Sequence, residues 1–168
     1  MDNQLTEDQR AIQEMAAKFT ADAITPFAAQ WDEQHIFPRA TIKAAAELGF
    51  GAIYVSEGSG GIGLGRLEAA LIMEAMAYGC PATSAYISIH NMAAWMVGTW
   101  GSATLISQVG EDLASGKKLA SYCLTEPGAG SDAKSLRTTA HYKDGYYRLN
   151  GAKAFISGAG ETQILIVM

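Results

Sequence analysis

Residues 122–131, which read YCLTEPGAGS, carry the side chains best suited to chemistry in this chain. An apolar run ends there, and it is followed by a hydroxyl at Thr125, a carboxylate at Glu126 and a second hydroxyl at Ser131. The two glycines of the segment let the backbone approach a ligand closely, and successive N–H groups in such a turn suit an anion such as a diphosphate. The segment therefore predicts a loop that binds a phosphate-bearing ligand, although Gly and Pro also occur in turns that bind nothing.

A second segment, residues 155–160, reads FISGAG and follows after a spacing of about one hairpin. Together the two segments closely resemble the flavin-binding sequences of the acyl-CoA dehydrogenase family. The isobutyryl-CoA branch of that family is the most similar, because it resembles this chain in both segments and also in residues 85–92. The resemblance extends over the whole chain, whereas the chain covers less than half of the family pattern.

The resemblance implies FAD as the cofactor, with the hydroxyls of Thr125 and Ser157 against the isoalloxazine ring. Donors near this ring stabilise the charge that develops when the flavin accepts a hydride. Phe155 supplies an aromatic face where many relatives have Trp, and Gly130 and Ser131 meet the diphosphate or the pantetheine. The residues implied to contact the flavin are therefore Tyr122, Cys123, Leu124, Thr125, Gly130, Ser131, Phe155, Ile156 and Ser157.

The resemblance also implies that one long helix lines the acyl end of the substrate site. Bulky side chains at Ile89 and Met92 would shorten that cavity and favour a small branched acyl group, and Ser131 is implied to contact the substrate as well. Core packing explains the spacing of Ile89 and Met92 equally well. We interpret His90, which lies between them, as a core or interface histidine.

The reaction implied by the family is the FAD-dependent α,β-dehydrogenation of a short branched acyl-CoA such as isobutyryl-CoA. A carboxylate base removes the α-proton, a hydride passes to flavin N5, and an electron-transfer flavoprotein reoxidises the flavin. The family's base is a Glu in a C-terminal part that this chain does not contain, so no catalytic residue is assigned. Glu126 precedes a proline in a tight turn, where carboxylates often bind local N–H groups. We therefore expect the 168 residues alone to be inactive.

The resemblance further implies a homotetramer, or else a companion chain that supplies the C-terminal part. Two other functions stay open. One is a flavin-dependent nitroalkane oxidase or monooxygenase on the same scaffold, which would consume oxygen. The other is a non-catalytic truncated scaffold, against which the retained hydroxyls of Thr125, Ser131 and Ser157 argue.

A third glycine-rich segment, residues 58–63, satisfies the dinucleotide-binding pattern G-x-G-x-x-G. That pattern binds a dinucleotide where its helix leads into a second strand, with an acidic residue about 20 positions further on. Here the helix is followed by another helical pattern. We therefore interpret the segment as a connection between helices.

The composition excludes several other classes of protein. A net charge of −5 without any Lys/Arg run argues against a nucleic-acid partner. The two cysteines lack metal-type spacing and the three histidines are far apart, so no metal site is predicted. No apolar stretch reaches the roughly 18 residues that predict a membrane span. The first residues resemble neither a signal nor a transit peptide, so we expect the bacterial cytoplasm or, for a processed eukaryotic protein, the mitochondrial matrix.

Hydrophobic periodicity predicts an α+β chain, with an N-terminal α-helical domain at residues 1–116 and the start of an antiparallel β domain at residues 117–168. By resemblance, this β domain binds the flavin, and the family's C-terminal helical bundle is absent from the chain. Apolar residues at helical spacing predict helices over residues 7–24, 27–34, 38–48, 67–78, 81–97 and 102–114. Short apolar runs predict strands over residues 119–124, 137–142, 146–150, 154–157 and 164–168, with hairpin turns at Asp144-Gly145 and Asn150-Gly151.

Overall fold

The computed structural model of the chain describes residues 4–168, and in this range helices precede strands. The helices are α1 (Glu7–Ala23), α2 (Ala28–Glu33), α3 (Arg39–Glu47), α4 (Arg66–Ala77), α5 (Pro81–Trp100) and α6 (Ala103–Ala114). The strands are β1 (Ala120–Cys123), β2 (Thr139–Lys143), β3 (Tyr146–Asn150) and β4 (Ile164–Val167). The expected α+β fold class is confirmed. The first three residues of the predicted helical domain lie outside the described range.

Local signals in the sequence determine where the helices begin. At α1 the Thr6 hydroxyl accepts a hydrogen bond from the Gln9 N–H, and the Gln9 side chain accepts one from the Thr6 N–H. This is the predicted capping box, which satisfies two N–H groups that have no partner inside the helix. α5 begins at Pro81. Proline has no N–H group, and an N–H at the first position of a helix has no partner inside the helix, so proline costs no hydrogen bond there.

The helices share a core that α4 organises, because it contacts α1 on one side and α5 on the other. The side chains there are almost completely removed from water, and each buried aliphatic or aromatic group of this size contributes about 1.5–3 kcal/mol to folding. The largest of them are Ile24, Phe50, Ile53, Ile72, Met76 and Ile87.

A buried amide fixes the connection between α3 and α4 to the long helix α5. The Asn91 Oδ1 accepts from the Ile53 N–H at 2.7 Å, and its Nδ2 donates to the carbonyls of Phe50 at 2.7 Å and Ile87 at 2.9 Å. Asn91 is fully buried, so each bond satisfies a backbone group that water cannot reach. The apolar run at residues 53–55 is therefore held as a buried turn.

The glycine-rich segment 58–63 is a connection between helices, as the sequence indicated. Gly60 and Gly63 have φ angles of +90° and +66°, which glycine adopts without strain. α4 follows this connection and leads directly into α5 rather than into a strand. The segment therefore does not form the strand–helix–strand unit of a dinucleotide site.

The strands form two separate pairs. β1 pairs with β4 in parallel, with Tyr122 beside Ile166, and α5 packs against β1. β2 and β3 form an antiparallel hairpin, in which every residue is exposed. The turn residues Asp144 and Gly145 both have positive φ, which confirms the predicted hairpin turn.

Two strand predictions around the second segment are wrong. Residues 154–157 form a loop, because Phe155 has a φ of +56° and a strand requires a negative φ. Asn150-Gly151 ends β3 without turning into another strand, so the second predicted hairpin is not formed. Positive φ at a phenylalanine has no sequence signal, and the strand pattern therefore misleads at this point.

Two further strand predictions need smaller corrections. β2 begins at Thr139 rather than at 137, because the N–H groups of residues 137 and 138 donate to a carboxylate instead of a neighbouring strand. β4 pairs with β1 in parallel, whereas an antiparallel arrangement was expected. It is also only partly buried, since Leu165 is 56% exposed.

Candidate functional site

The two segments that were singled out by sequence lie side by side in the structure. The Ala154 N–H donates to the Thr125 carbonyl at 2.9 Å, and the Lys153 ammonium donates to the Leu124 carbonyl at 2.9 Å. Residues 124–131 form the first loop of the candidate site, and residues 153–162 form the second loop. The end of β1 therefore joins both loops at one point.

A second attachment holds the far end of the second loop. The buried Ser121 hydroxyl on β1 donates to the Ser157 carbonyl at 2.7 Å and shares a hydrogen bond of 2.9 Å with the Thr162 hydroxyl. Gly158, with a φ of +79°, passes so close to Tyr86 that an added Cβ would lie 2.5 Å from the ring. The second loop is therefore held by the start of the first loop at one end and by β1 at the other, and it packs against Tyr86 of α5.

Phe155 projects from the second loop between these two attachments. Its φ of +56° is uncommon for a residue other than glycine, and its side chain is 95% exposed. A large aromatic ring in water forgoes the stabilisation that burial would give it. The ring is therefore available to pack against a flat ligand.

The glycines of the first loop lie against open space. Gly128 and Gly130 have no positive φ, and a Cβ added to either would meet nothing within 4 Å. Neither backbone conformation nor packing against the described residues requires glycine at these positions. Close approach of a ligand to the backbone does require it, so this loop fits the predicted diphosphate or pantetheine contact.

The other predicted flavin residues differ in their exposure. Ser131 and Ser157 are exposed, while half-buried positions are occupied by Tyr122, Leu124, Thr125 and Ile156. Cys123 is buried, and burial raises the pKa of its thiol, so its side chain packs as a small apolar group. Only its backbone can reach a ligand.

Glu126 is enclosed by donors and cannot act as a base. Its carboxylate accepts from the Thr138 hydroxyl at 2.5 Å, the Lys153 ammonium at 2.9 Å and the N–H groups of Arg137 at 2.7 Å and Thr138 at 2.9 Å. The Thr138 hydroxyl, then the Lys153 ammonium and the Arg137 N–H, lower the pKa of the carboxyl to about 2. A general base at neutral pH needs a pKa near 7, so Glu126 is a structural carboxylate, as its position before a proline indicated.

His90 is a structural histidine, which the sequence interpretation anticipated. Its Nε2 donates to the Leu113 carbonyl at 2.9 Å, and its Nδ1 accepts from the Ala120 N–H at 3.0 Å. These two bonds require the neutral ring, and burial lowers the pKa of the imidazole. Ile89 and Met92 are half-buried next to it on α5, and their part in substrate binding stays a prediction.

A cleft of about 500 Å³ lies away from the candidate site, between the α2–α3 region and the start of α5. It lies against Trp31, Phe37, Cys80 and Tyr86. None of the residues predicted to bind flavin or substrate lines it.

The part of the chain that the structure describes has neither a grouping of metal-ligating side chains nor a helix that could span a membrane. Within residues 4–168 no three His, Cys, Asp or Glu side chains are grouped so that they could hold a metal ion. In the same range no helix has the length and apolar character to cross a membrane.

Three residues that join the loops were missed by sequence reasoning, and only one of them carried a weak signal. Lys153 is a single lysine in a mixed stretch, and Ser121 and Thr162 are isolated hydroxyls about 40 residues apart. Only the parallel pairing of β1 with β4 brings them together. A lysine that interrupts a half-buried segment was the one available hint, because charged groups are rarely buried without a partner.

A helical domain followed by strands, with two adjoining loops at the end of β1, defines an α+β chain. The sequence models of the acyl-CoA dehydrogenase N-terminal domain and middle domain match residues 6–117 and 121–168. The chain belongs to the acyl-CoA dehydrogenase family, and the resemblance stated above is confirmed.

Individual proteins agree with this assignment. The mitochondrial isobutyryl-CoA dehydrogenases of Bos taurus and Dictyostelium discoideum are 48% and 50% identical to this chain over 164 residues. These matches cover 98% of this chain but 39% of each relative, so the chain spans about two fifths of their length. A glutaryl-coenzyme A dehydrogenase in complex with glutaryl-CoA superposes with a TM-score of 0.93 at 32% identity, over 99% of this chain and 43% of that one. An FAD complex of PigA superposes with a TM-score of 0.91 at 35% identity, over 99% and 44% of the two chains.

Proposed function

We propose that this chain is the N-terminal portion of an FAD-dependent acyl-CoA dehydrogenase that acts on a short branched acyl-CoA such as isobutyryl-CoA. The observation that carries the proposal is the hydrogen bond between the Thr125 carbonyl and the Ala154 N–H, which places the two flavin-type segments side by side. The identity to two isobutyryl-CoA dehydrogenases supports the substrate class. We place the boundary between the helical and strand domains at residues 116–117.

The residues of the two loops fit a flavin in three ways. The open glycine loop at 128–130 lets backbone N–H groups approach a diphosphate. The hydroxyls of Thr125 and Ser157 would donate to the ring, and Phe155, whose side chain is 95% exposed, would supply an aromatic surface for it. Bound FAD supplies the hydride acceptor, a chemistry that no side chain of the chain provides. The chain's own contribution is to orient the ring and to supply donors where charge develops.

The substrate contacts are assigned to Ser131 on the first loop and to Ile89 and Met92 on α5. The half-buried side chains of Ile89 and Met92 shorten the acyl end of the site, which favours small branched groups over long straight ones. The base that removes the α-proton belongs to the C-terminal part of the complete protein, since Glu126 is fully engaged. An electron-transfer flavoprotein accepts the electrons, and a homotetramer in the bacterial cytoplasm or mitochondrial matrix is the proposed assembly.

The test of the proposed function is a dye-reduction assay on the complete protein with isobutyryl-CoA, butyryl-CoA and octanoyl-CoA. We expect the flavin to be present and isobutyryl-CoA to give the highest kcat/KM. A preference for octanoyl-CoA would contradict the substrate assignment. Oxygen consumption with a nitroalkane, and none with acyl-CoA, would instead identify an oxidase on the same scaffold.

A further inference from the structure

A buried ion pair lies between the two loops of the candidate site. The Lys153 ammonium is 2.9 Å from the Glu126 carboxylate and donates at 2.9 Å to the Leu124 carbonyl. The lysine side chain is 13% exposed and the glutamate side chain 7%. Because the next residue, Ala154, bonds the Thr125 carbonyl, the loops are joined here by side chain and backbone together.

Because it is buried, the Glu126–Lys153 pair can resist separation of the two loops, which an exposed ion pair cannot do. Moving the loops apart would separate an ammonium from a carboxylate where little water can replace the lost partner, and such separation is unfavourable. The Lys18–Asp22 pair has the same distance of 2.9 Å, but its side chains are 79% and 64% exposed. Solvent screens that pair, so it holds nothing in place.

Glu126 also binds residues 137–138, which lead into β2. Its carboxylate accepts from the N–H groups of Arg137 and Thr138 and from the Thr138 hydroxyl. The carboxylate accepts from donors of both Thr138 and Arg137 as well as from Lys153, and its side chain is 7% exposed. Glu126 thus fixes three chain segments relative to one another.

From this geometry we propose that Glu126 and Lys153 are positioning residues, which hold the first and second loops at the separation that an isoalloxazine ring requires. This inference rests on the proposed function. Lys153 fixes one end of the second loop, and Ser121 fixes the other end through the Ser157 carbonyl. Phe155 lies between these points, so its ring position depends on both. A displacement of about 1 Å in such a site lowers its efficiency severely.

The pair is tested in the complete protein by Lys153→Met, with Lys18→Met as a control that removes the same charge from an exposed pair. Amide hydrogen exchange of residues 154–160 is measured in the apoprotein at 10 °C, and FAD affinity is measured by flavin fluorescence quenching. We expect Lys153→Met to speed exchange in this loop at least about tenfold and to raise the Kd for FAD at least about tenfold. Lys18→Met should change neither, and Lys153→Arg should recover part of both.

The exchange measurement separates this inference from the proposed function, because it does not need the flavin. A wild-type protein that takes up no FAD overturns the proposed function, while faster loop exchange in Lys153→Met would still support the role of the Glu126–Lys153 pair in holding the two loops together. Unchanged exchange and unchanged Kd in a folded Lys153→Met protein would overturn the positioning role. If Lys153→Met does not fold, Lys153→Gln decides in the same way, since glutamine removes the charge, keeps a donor for the Leu124 carbonyl and leaves every acceptor bond of Glu126 from Arg137 and Thr138 in place.

Discussion

The helical and the strand parts of the chain differ in how fully their side chains are enclosed and their buried backbone groups are hydrogen-bonded within the chain. In the helical part, α4 and α5 are enclosed by neighbours, and a single amide at Asn91 satisfies three backbone groups. In the strand part, every residue of the β2–β3 hairpin is exposed, and Phe155 is 95% exposed. The helical part encloses a core of apolar side chains, although Tyr78 and Trp100 are exposed, whereas the hairpin and Phe155 expose theirs to solvent.

The two parts are therefore expected to have different roles, with the helical part providing stability and the loops after β1 providing the binding site. Residues that pack inside the helical part set the position of β1, since α5 contacts that strand through Tyr86 and His90. The residues predicted to bind the cofactor lie at the end of β1 and on the two loops that are attached there. Binding sites commonly occupy loops held by a rigid scaffold, because only loops leave backbone groups free for a ligand.

The largest expected effect is a loss of stability from Asn91→Ala. The change leaves the Ile53 N–H and the Phe50 carbonyl buried without partners, whereas the Ile87 carbonyl keeps its backbone bond within α5. Each unpaired buried group costs about 1–3 kcal/mol. We expect the free energy of unfolding to fall by about 3 kcal/mol or more in urea denaturation. Asn150→Ala, on the exposed hairpin, serves as the control and should change it by less than about 0.5 kcal/mol. Equal effects of the two changes would contradict the contrast between the two parts.

A smaller effect is expected where the second loop meets the helical part. Gly158→Ala places a methyl group against the Tyr86 ring, while Gly160→Ala meets nothing. Both glycines have positive φ, so the backbone strain is common to both variants. We expect Gly158→Ala to be less stable than Gly160→Ala by about 1–3 kcal/mol in thermal unfolding. Matching stabilities would mean that the loop does not rest on α5.

The hairpin should tolerate substitution. The rings of Tyr142 and Tyr147 lie across the strands with centroids 5.0 Å apart, and both are exposed. Replacement of Tyr142 by Ser removes this cross-strand contact, which contributes about 0.2–1 kcal/mol. Differential scanning calorimetry of the complete protein should therefore give a shift no larger than this. A greater loss would reveal that the hairpin's apolar face is covered in the complete protein.

The smallest effect concerns pH, and it separates a structural from a catalytic Glu126. The pKa of this carboxyl lies at about 2 in the folded chain, below the ordinary 4.5. Its contribution to stability is therefore complete above pH 4.5 and is lost as the pH falls toward 2. Between pH 7 and 5 we expect no change from this group. A carboxyl carbon NMR titration with a midpoint above 4 would contradict the enclosed geometry.

The sequence predicted what depends on local pattern. Helix positions followed from apolar spacing, the start of α1 from Thr6 and Gln9, and one hairpin from Asp144-Gly145. The residues of both loops were identified because glycine and hydroxyl positions form a family pattern. These features are encoded within a few residues of one another, so a single chain is enough to read them.

What the sequence could not predict depends on distant pairing. The positive φ of Phe155 and the loop at residues 154–157 follow from attachments at Lys153 and Ser157, not from local propensity. The parallel pairing of β1 with β4 joins residues more than 40 positions apart and has no local sign. Lys153 therefore has a role that only the three-dimensional arrangement reveals.

The central claim, that the two loops form the flavin site, is tested most directly by titrating the apoprotein of the complete protein with FAD. Thr125→Val and Ser157→Ala each remove one hydroxyl, and Thr104→Val on the exposed face of α6 is the control. One hydrogen bond contributes about 1.4 kcal/mol here, so we expect each loop variant to raise the Kd about tenfold. The control should match the wild type. Equal FAD affinity in all four proteins, or no FAD binding by the wild type, would contradict the account.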